Sequence, residues 1–390
     1  MKVLFAGTPG VNKSVALERL RKACEELYSE QRIYTDEAGA IPILDKRLYG
    51  AKAHTFLKKR ESLQKTDWRG KFKQVLQEFE GAKREHHFLG LHMALRYRQV
   101  PSCVVSFDDL VEWKPDCVVT FIDDVYAVRH RVHKRGHDAF TLAELLLWRV
   151  EELLIADILS RILKVPNYFV AVKHPARMLA KVLLGKETRR IYLSHEISDI
   201  RNNKTQRAVI DRVCKRLRRL PGCAVFEPLM IDELPLVKRR GFDPRNAEHR
   251  WPTLEPEKAM VSDSDLPRKF KQIPRDEVEE AERAINSHID TRDVRLVRQS
   301  EALIVYRPTM SGGRTYTSGV RREIDEAKSG QRVFTYIKKG VDGELRSPME
   351  MQASGEDPDF FYERSETNFW KRVEKFVKES RDRDFDRFLE

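Results

Sequence analysis

Two places in this 390-residue sequence gather side chains able to do chemistry. The first is Gly7–Ser14, GTPGVNKS, which lies between a short apolar run and a helical pattern. It matches the phosphate-loop pattern GxxxxGK[ST] at Gly7, Lys13 and Ser14, with Asn12 in place of the last glycine. In such a loop the backbone N–H groups and a helix N-terminus cradle phosphate, the lysine reaches the terminal phosphates and the serine ligates Mg²⁺. Gly7, Gly10, Asn12, Lys13 and Ser14 are therefore the phosphate-binding candidates. Asparagine tolerates a positive φ better than most residues, so the turn survives the substitution. Further on, VVTFIDD ends an apolar run in Asp123 and Asp124. A carboxylate at a strand end holds Mg²⁺ directly or through water, which makes Ser14 and Asp123 the metal candidates. The expected cofactor is ATP or another nucleoside triphosphate with Mg²⁺.

The second place is assembled from three distant pieces. Tyr192–Arg201 (YLSHEISDIR) reads as a strand end opening into a polar loop. Arg292-Asp293 falls on a helical pattern, eight residues before Glu301 and the apolar ALIVYRP. Ser318–Ala327 (SGVRREIDEA) is a small-residue turn entering a helix. Glu323 sits in the first turns of that helix, whose N-terminus is formed by Ser318 and Gly319. An anionic ligand at the terminus and a carboxylate beside it are physically compatible. Asp290, one turn before Asp293, is the alternative acidic partner.

The three pieces, in this order, resemble the nucleoside 2-deoxyribosyltransferase family, including its branch that hydrolyses deoxynucleoside 5′-monophosphates. YLSHE stands for its opening strand, Asp293 before Glu301 for its helix-borne acid, and SGVRREIDEA for the segment holding its nucleophile. The resemblance implies cleavage of, or transfer across, an N-glycosidic bond. In it Glu323 is the nucleophile, Asp293 assists proton transfer to the leaving base and Tyr192 orients the nucleophile. It further implies substrate contacts at Ser194, Ser198, Arg201, Ser318 and Gly319, with Ser198, Arg201 and Ser318 near a 5′-phosphate, and a homo-oligomer. His195 and Arg321-Arg322 depart from the family pattern. The first segment resembles the adenylate-kinase-like branch of phosphate-loop proteins, with Arg129–Arg135 (RHRVHKR) standing where that branch has an arginine-bearing lid. The alternatives are an NAD⁺ glycohydrolase or a non-catalytic nucleotide sensor.

Elements must position these groups. Apolar runs at Lys2–Ala6, Cys103–Phe107, Cys117–Ile122 and Tyr168–Val172 read as buried strands, and Ser14–Tyr28, 53–79, Leu89–Tyr97 and Thr141–Leu163 as helices. In the last of these, Leu142, Leu145, Leu146, Val150, Leu153, Leu154 and Asp157 are expected to face a core. A second unit follows, with strands at Ile191–Ser194, Ala224–Leu229, Ala302–Pro308 and 332–337 and a basic helix from 204 to 220. The expected fold class is α/β: a phosphate-loop kinase-like parallel sheet over residues 1–185, then a flavodoxin- or Rossmann-like one over 189–345 with a long insertion at 238–285. A helical tail at 346–390 closes the chain.

Lys and Arg number 73 against 61 Asp and Glu, a net charge of +12. That surplus attracts polyanions. The cations, however, flank the two candidate sites, and no helix-turn-helix, RNA-recognition or zinc-finger pattern appears, so phosphorylated small molecules are expected and nucleic acid is not. Five scattered cysteines without CxxC spacing suggest reduced thiols. With no apolar run of membrane-spanning length and an N-terminus interrupted early by glycine and proline, a cytoplasmic protein without a membrane partner is expected.

Overall fold

The computed structural model describes residues 1–48, 56, 58–82, 86–97, 100–103, 105–135, 140–195, 204–233, 236, 260, 273–307, 317–327, 330–337, 360–363 and 365–379. The first half runs β1 (Lys2–Ala6), α1 (Lys13–Leu27), α2 (Leu44–Leu48), α3 (Glu61–Gly81), β2 (His87–Gly90), β3 (Leu95–Tyr97), β4 (Val100–Ser102), α4 (Phe107–Trp113), β5 (Cys117–Ile122), α5 (Val125–Lys134), α6 (Leu142–Leu163), β6 (Asn167–Ala171) and α7 (Ala176–Leu184). The second half runs β7 (Arg189–Ser194), α8 (Lys204–Arg219), β8 (Cys223–Phe226), α9 (Arg275–Arg298), β9 (Ala302–Arg307), α10 (Ser318–Ala327), β10 (Arg332–Ile337), β11 (Phe360–Glu363) and α11 (Glu366–Lys378).

The α/β expectation holds. One parallel sheet is ordered β2-β1-β5-β6 and the other β11-β10-β9-β7-β8, while β3 and β4 form a separate antiparallel pair. Strands β5, β7 and β9 are buried at every residue, as parallel strands covered on both faces must be. In each sheet the second strand lies on one side of the first and the later strands on the other, the flavodoxin-like order. The winding therefore reverses between β1 and β5 and again between β7 and β9. The crevice outside the strand carboxyl ends at such a reversal is where open α/β sheets bind ligands. Both sequence-derived sites fall there.

Four expectations change. Leu89–Tyr97 is not a helix: Phe88 and Leu89 pair in register with Val3 and Leu4, and this strand pairing overrides the helical spacing. Cys103–Phe107 is not a strand, because Ser106 caps the N–H of Asp109 and Phe107 opens α4. Residues 275–285 belong to α9 rather than to an insertion, and the 346–390 tail contributes β11, the fifth strand of the second sheet, as well as α11. Finally, Val150 and Leu154 on α6 point outward while Leu142, Leu145, Leu146 and Leu153 are buried.

The halves share one hydrophobic core, continuous from Val3 and Phe5 to Ile304 and Phe334. A smaller cluster around Trp68, Phe72, Phe79 and Trp113 packs against the first sheet. The seam between the sheets is closed by a side chain. Gln299, buried, accepts from the Phe169 N–H (2.8 Å) and donates to the Phe169 carbonyl (2.9 Å), occupying the edge of β6 as a further strand would. Gln299→Leu leaves both backbone groups unpaired, so urea unfolding should show a loss of about 1–3 kcal/mol per orphaned group. No described helix is long and apolar enough to cross a membrane.

Candidate active site and phosphate loop

Side chains alternate along β7, so Tyr192 and Ser194 share a face. The helix α10, which connects β9 to β10, brings Glu323 to that face. Glu323 is buried, and each of its oxygens accepts from a different hydroxyl: Oε1 from Tyr192 (2.7 Å) and Oε2 from Ser194 (2.5 Å). Helix α9 supplies the second carboxylate. Arg292 donates through Nε to Asp293 (2.8 Å) and through Nη1 to the Ile231 carbonyl (2.7 Å), which fixes the acid in place. Burial first, and then the nearby Asp293 charge, push Glu323 up to about 8 against the pull of the two hydroxyls and Arg292. Burial also raises Asp293, with Arg292 opposing it. A buried carboxylate and a half-buried one whose charges are coupled do not ionise together, so the pair retains a proton around neutrality.

The structure thus brings Tyr192, Ser194, Asp293 and Glu323 together. Asp290, the alternative acid, is exposed and pairs with Arg322 on the outside (2.5 Å). Ser318 and Gly319 are exposed in the first turn of α10. Ser198 and Arg201 lie outside the described residues. His195 is buried at the end of β7, held neutral by burial, which lowers its pKa to about 4, and among the described residues neither ring nitrogen has a hydrogen-bond partner. In the sequence Arg292 stands out only as the neighbour of Asp293, with no role of its own. Its signal is adjacency: an arginine next to an acid on a core-facing helix has few other ways to be buried.

At the other reversal, the loop after β1 takes the strained turn that its sequence allows. Asn12 adopts φ 58° and ψ 43°, the left-handed region, and its side chain caps no N–H of α1. Gly10 has φ 91°, and a Cβ there would meet Val132 at 2.8 Å, so the loop lies directly on α5. Lys13 turns inward, 2.5 Å from the Gly7 carbonyl and 2.5 Å from His92 Nδ1. Burial lowers it to about 8, with Asp45 and Glu152 pulling the other way. Burial and the Lys13 charge hold His92 neutral. Glu152 of α6 accepts the N–H groups of Gly7 (2.9 Å), Met93 (2.9 Å) and Ala94 (2.8 Å), tying the loop to the sheet end. His92 and Glu152 carry no sequence motif, and only the fold places them.

Of the metal candidates, Ser14 is half-buried at the start of α1 and Asp123 is buried and paired with Arg131 (2.7 Å). Arg131 also donates to the Gly10 carbonyl (2.8 Å). Asp124 is engaged by Lys173, by Tyr126 and by the Asp232 N–H. The acids after β5 are neutralised by protein cations, so this arrangement does not fit a Mg²⁺ ligand set. Arg129, Arg131 and Arg135, the expected lid, lie on or at the end of α5: Arg129 pairs with Glu277 and Arg135 donates to Asn12 Oδ1 (3.0 Å). No protein-family model matches the chain, and no curated protein matches it.

Proposed function

We propose that the second half cleaves, or transfers across, the N-glycosidic bond of a (deoxy)nucleoside 5′-monophosphate, and that the phosphate loop of the first half binds a nucleotide. The observation that carries this reading is the Glu323 carboxyl, buried at the sheet reversal with a hydroxyl donor on each oxygen and a second carboxylate beside it. In the form in which the pair's proton has moved from Glu323 to Asp293, ionised Glu323 attacks the anomeric carbon, the C–N bond breaks, and Asp293 delivers that proton to the departing base. Water or an acceptor base then attacks the glycosyl ester, giving a proton back to Asp293 and releasing Glu323. Tyr192 and Ser194 stabilise the ionised form and hold its rotamer. No Mg²⁺ step is assigned to the first half.

The test is a substrate screen. The full chain is incubated with each deoxynucleoside 5′-monophosphate and with NAD⁺, with and without ATP and Mg²⁺, and free base is followed by chromatography. Base release from a monophosphate is expected, and a dependence on ATP would show that the two sites communicate. No release from any compound sinks the reading, and nicotinamide release from NAD⁺ alone replaces the substrate class.

A further inference from the structure

Nine large apolar side chains are exposed among the described residues, and five of them are on α6: Leu147, Val150, Leu154, Ile158 and Ile162, between 42 and 56% exposed. Their spacing of 3, 4, 4 and 4 residues keeps them on one face along the whole helix. Scattered apolar residues need no explanation, but a continuous ridge does. The opposite face of the same helix is already committed to the core through Leu142, Leu145, Leu146 and Leu153. A capping box at Thr141 and Glu144 fixes the start of the helix, so the ridge is presented on a defined element.

We propose that this ridge is the contact surface of a homodimer, in which α6 packs antiparallel against α6 of a second copy. Self-pairing is favoured by the pattern itself. A two-fold interface must be complementary to itself, and Val150, Leu154, Ile158 and Ile162 are evenly spaced about a midpoint between Leu154 and Ile158. Antiparallel docking then sets Val150 opposite Ile162 of the second copy. Charge is compatible with the same direction: about that midpoint Glu151, which also pairs with Arg96 of its own chain, falls opposite the exposed Arg161 of the second copy, and opposite helix-dipole ends lie side by side. A mean spacing of 3.75 residues exceeds the 3.6 of a straight helix, so the ridge drifts across the helix face and suits a short crossing contact rather than a long left-handed supercoil. The ridge belongs to the first half and lies outside the three segments that resemble the deoxyribosyltransferase family.

The full chain should sediment at twice its 45.7 kDa mass at about micromolar concentration. Leu154→Glu combined with Ile158→Glu should weaken the association at least about 100-fold while leaving the circular dichroism unchanged, because both residues are exposed in the single chain, and should remove the concentration dependence of Tm that association gives the wild type. Direction is read by mixing Val150→Cys with Ile162→Cys under mild oxidation, where a mixed disulfide is expected. A monomeric wild type, a dimer that survives the double glutamate variant, or disulfides only between like variants overturns the proposal. So does a monomer in which a cysteine at 154 resists alkylation, since another segment of the same chain would then cover the ridge.

Discussion

Glu323→Gln should abolish base release, lowering kcat by at least about 1,000-fold, in a chain that still folds. Glutamine keeps the volume of the side chain and can still meet the hydroxyls of Tyr192 and Ser194, which rotate to suit, but it cannot form a glycosyl ester. The same variant should be more stable than the wild type at alkaline pH. Burial and Asp293 raise Glu323 from the ordinary 4.5 to about 8, so the folded chain retains a proton that the unfolded chain releases. That contribution to stability is fully present below pH 4.5 and is lost as pH rises through 8. The variant has no such dependence. Its Tm advantage over the wild type should widen from about pH 4.5 to 8 and then level off. A gap that stays flat across this range would show that position 323 is not the buried acid described above.

The site residues Tyr192, Asp293, Glu323 and Ser194 were marked by the resemblance of three separated segments to one family, not by residue type alone, and their meeting required only that β7 be the first strand of a doubly wound sheet. What stayed hidden depends on long-range packing. Arg292 acts through the Ile231 carbonyl, 61 residues away in sequence. Asp123 looked like a metal ligand because an acid at a strand end usually faces the ligand, and only the placement of Arg131 on α5 shows that its charge is already met. The helical reading of Leu89–Tyr97 failed for a related reason, since a short apolar run takes its conformation from its neighbour, here β1. The outward ridge on α6 misled in the opposite direction: apolar spacing identifies a face, but it does not say whether this chain or another covers it.

The second large effect is expected at Arg149, which joins the halves. It is buried on α6, donates to the Asp123 carbonyl (2.7 Å) and reaches both oxygens of Glu233 (2.7 and 3.2 Å), in the segment after β8. Burial alone would raise Glu233, but Arg149 outweighs it and holds the acid below its ordinary value. Arg149→Met strands a buried carboxylate, which costs about 3–5 kcal/mol. Tryptophans in the first half (Trp68, Trp113, Trp148) and in the second (Trp251, Trp370) should report a single urea transition for the wild type, since one core spans both sheets, and the variant should shift it as a whole. Separate transitions in the wild type would show that the halves fold independently. Adding Glu233→Gln should recover most of the loss, because the amide keeps an acceptor for the Val125 N–H (2.7 Å) and carries no charge. Activity extends the argument. Buried contacts run from the Gly10 carbonyl through Arg131, Asp123 and Arg149 to Glu233, and the 231–233 segment carries them on to Arg292 and Asp293 beside Glu323. Under conditions where both variants remain folded, Arg149→Met should therefore slow base release, whereas Gln299→Leu, equally buried but off this line, should not.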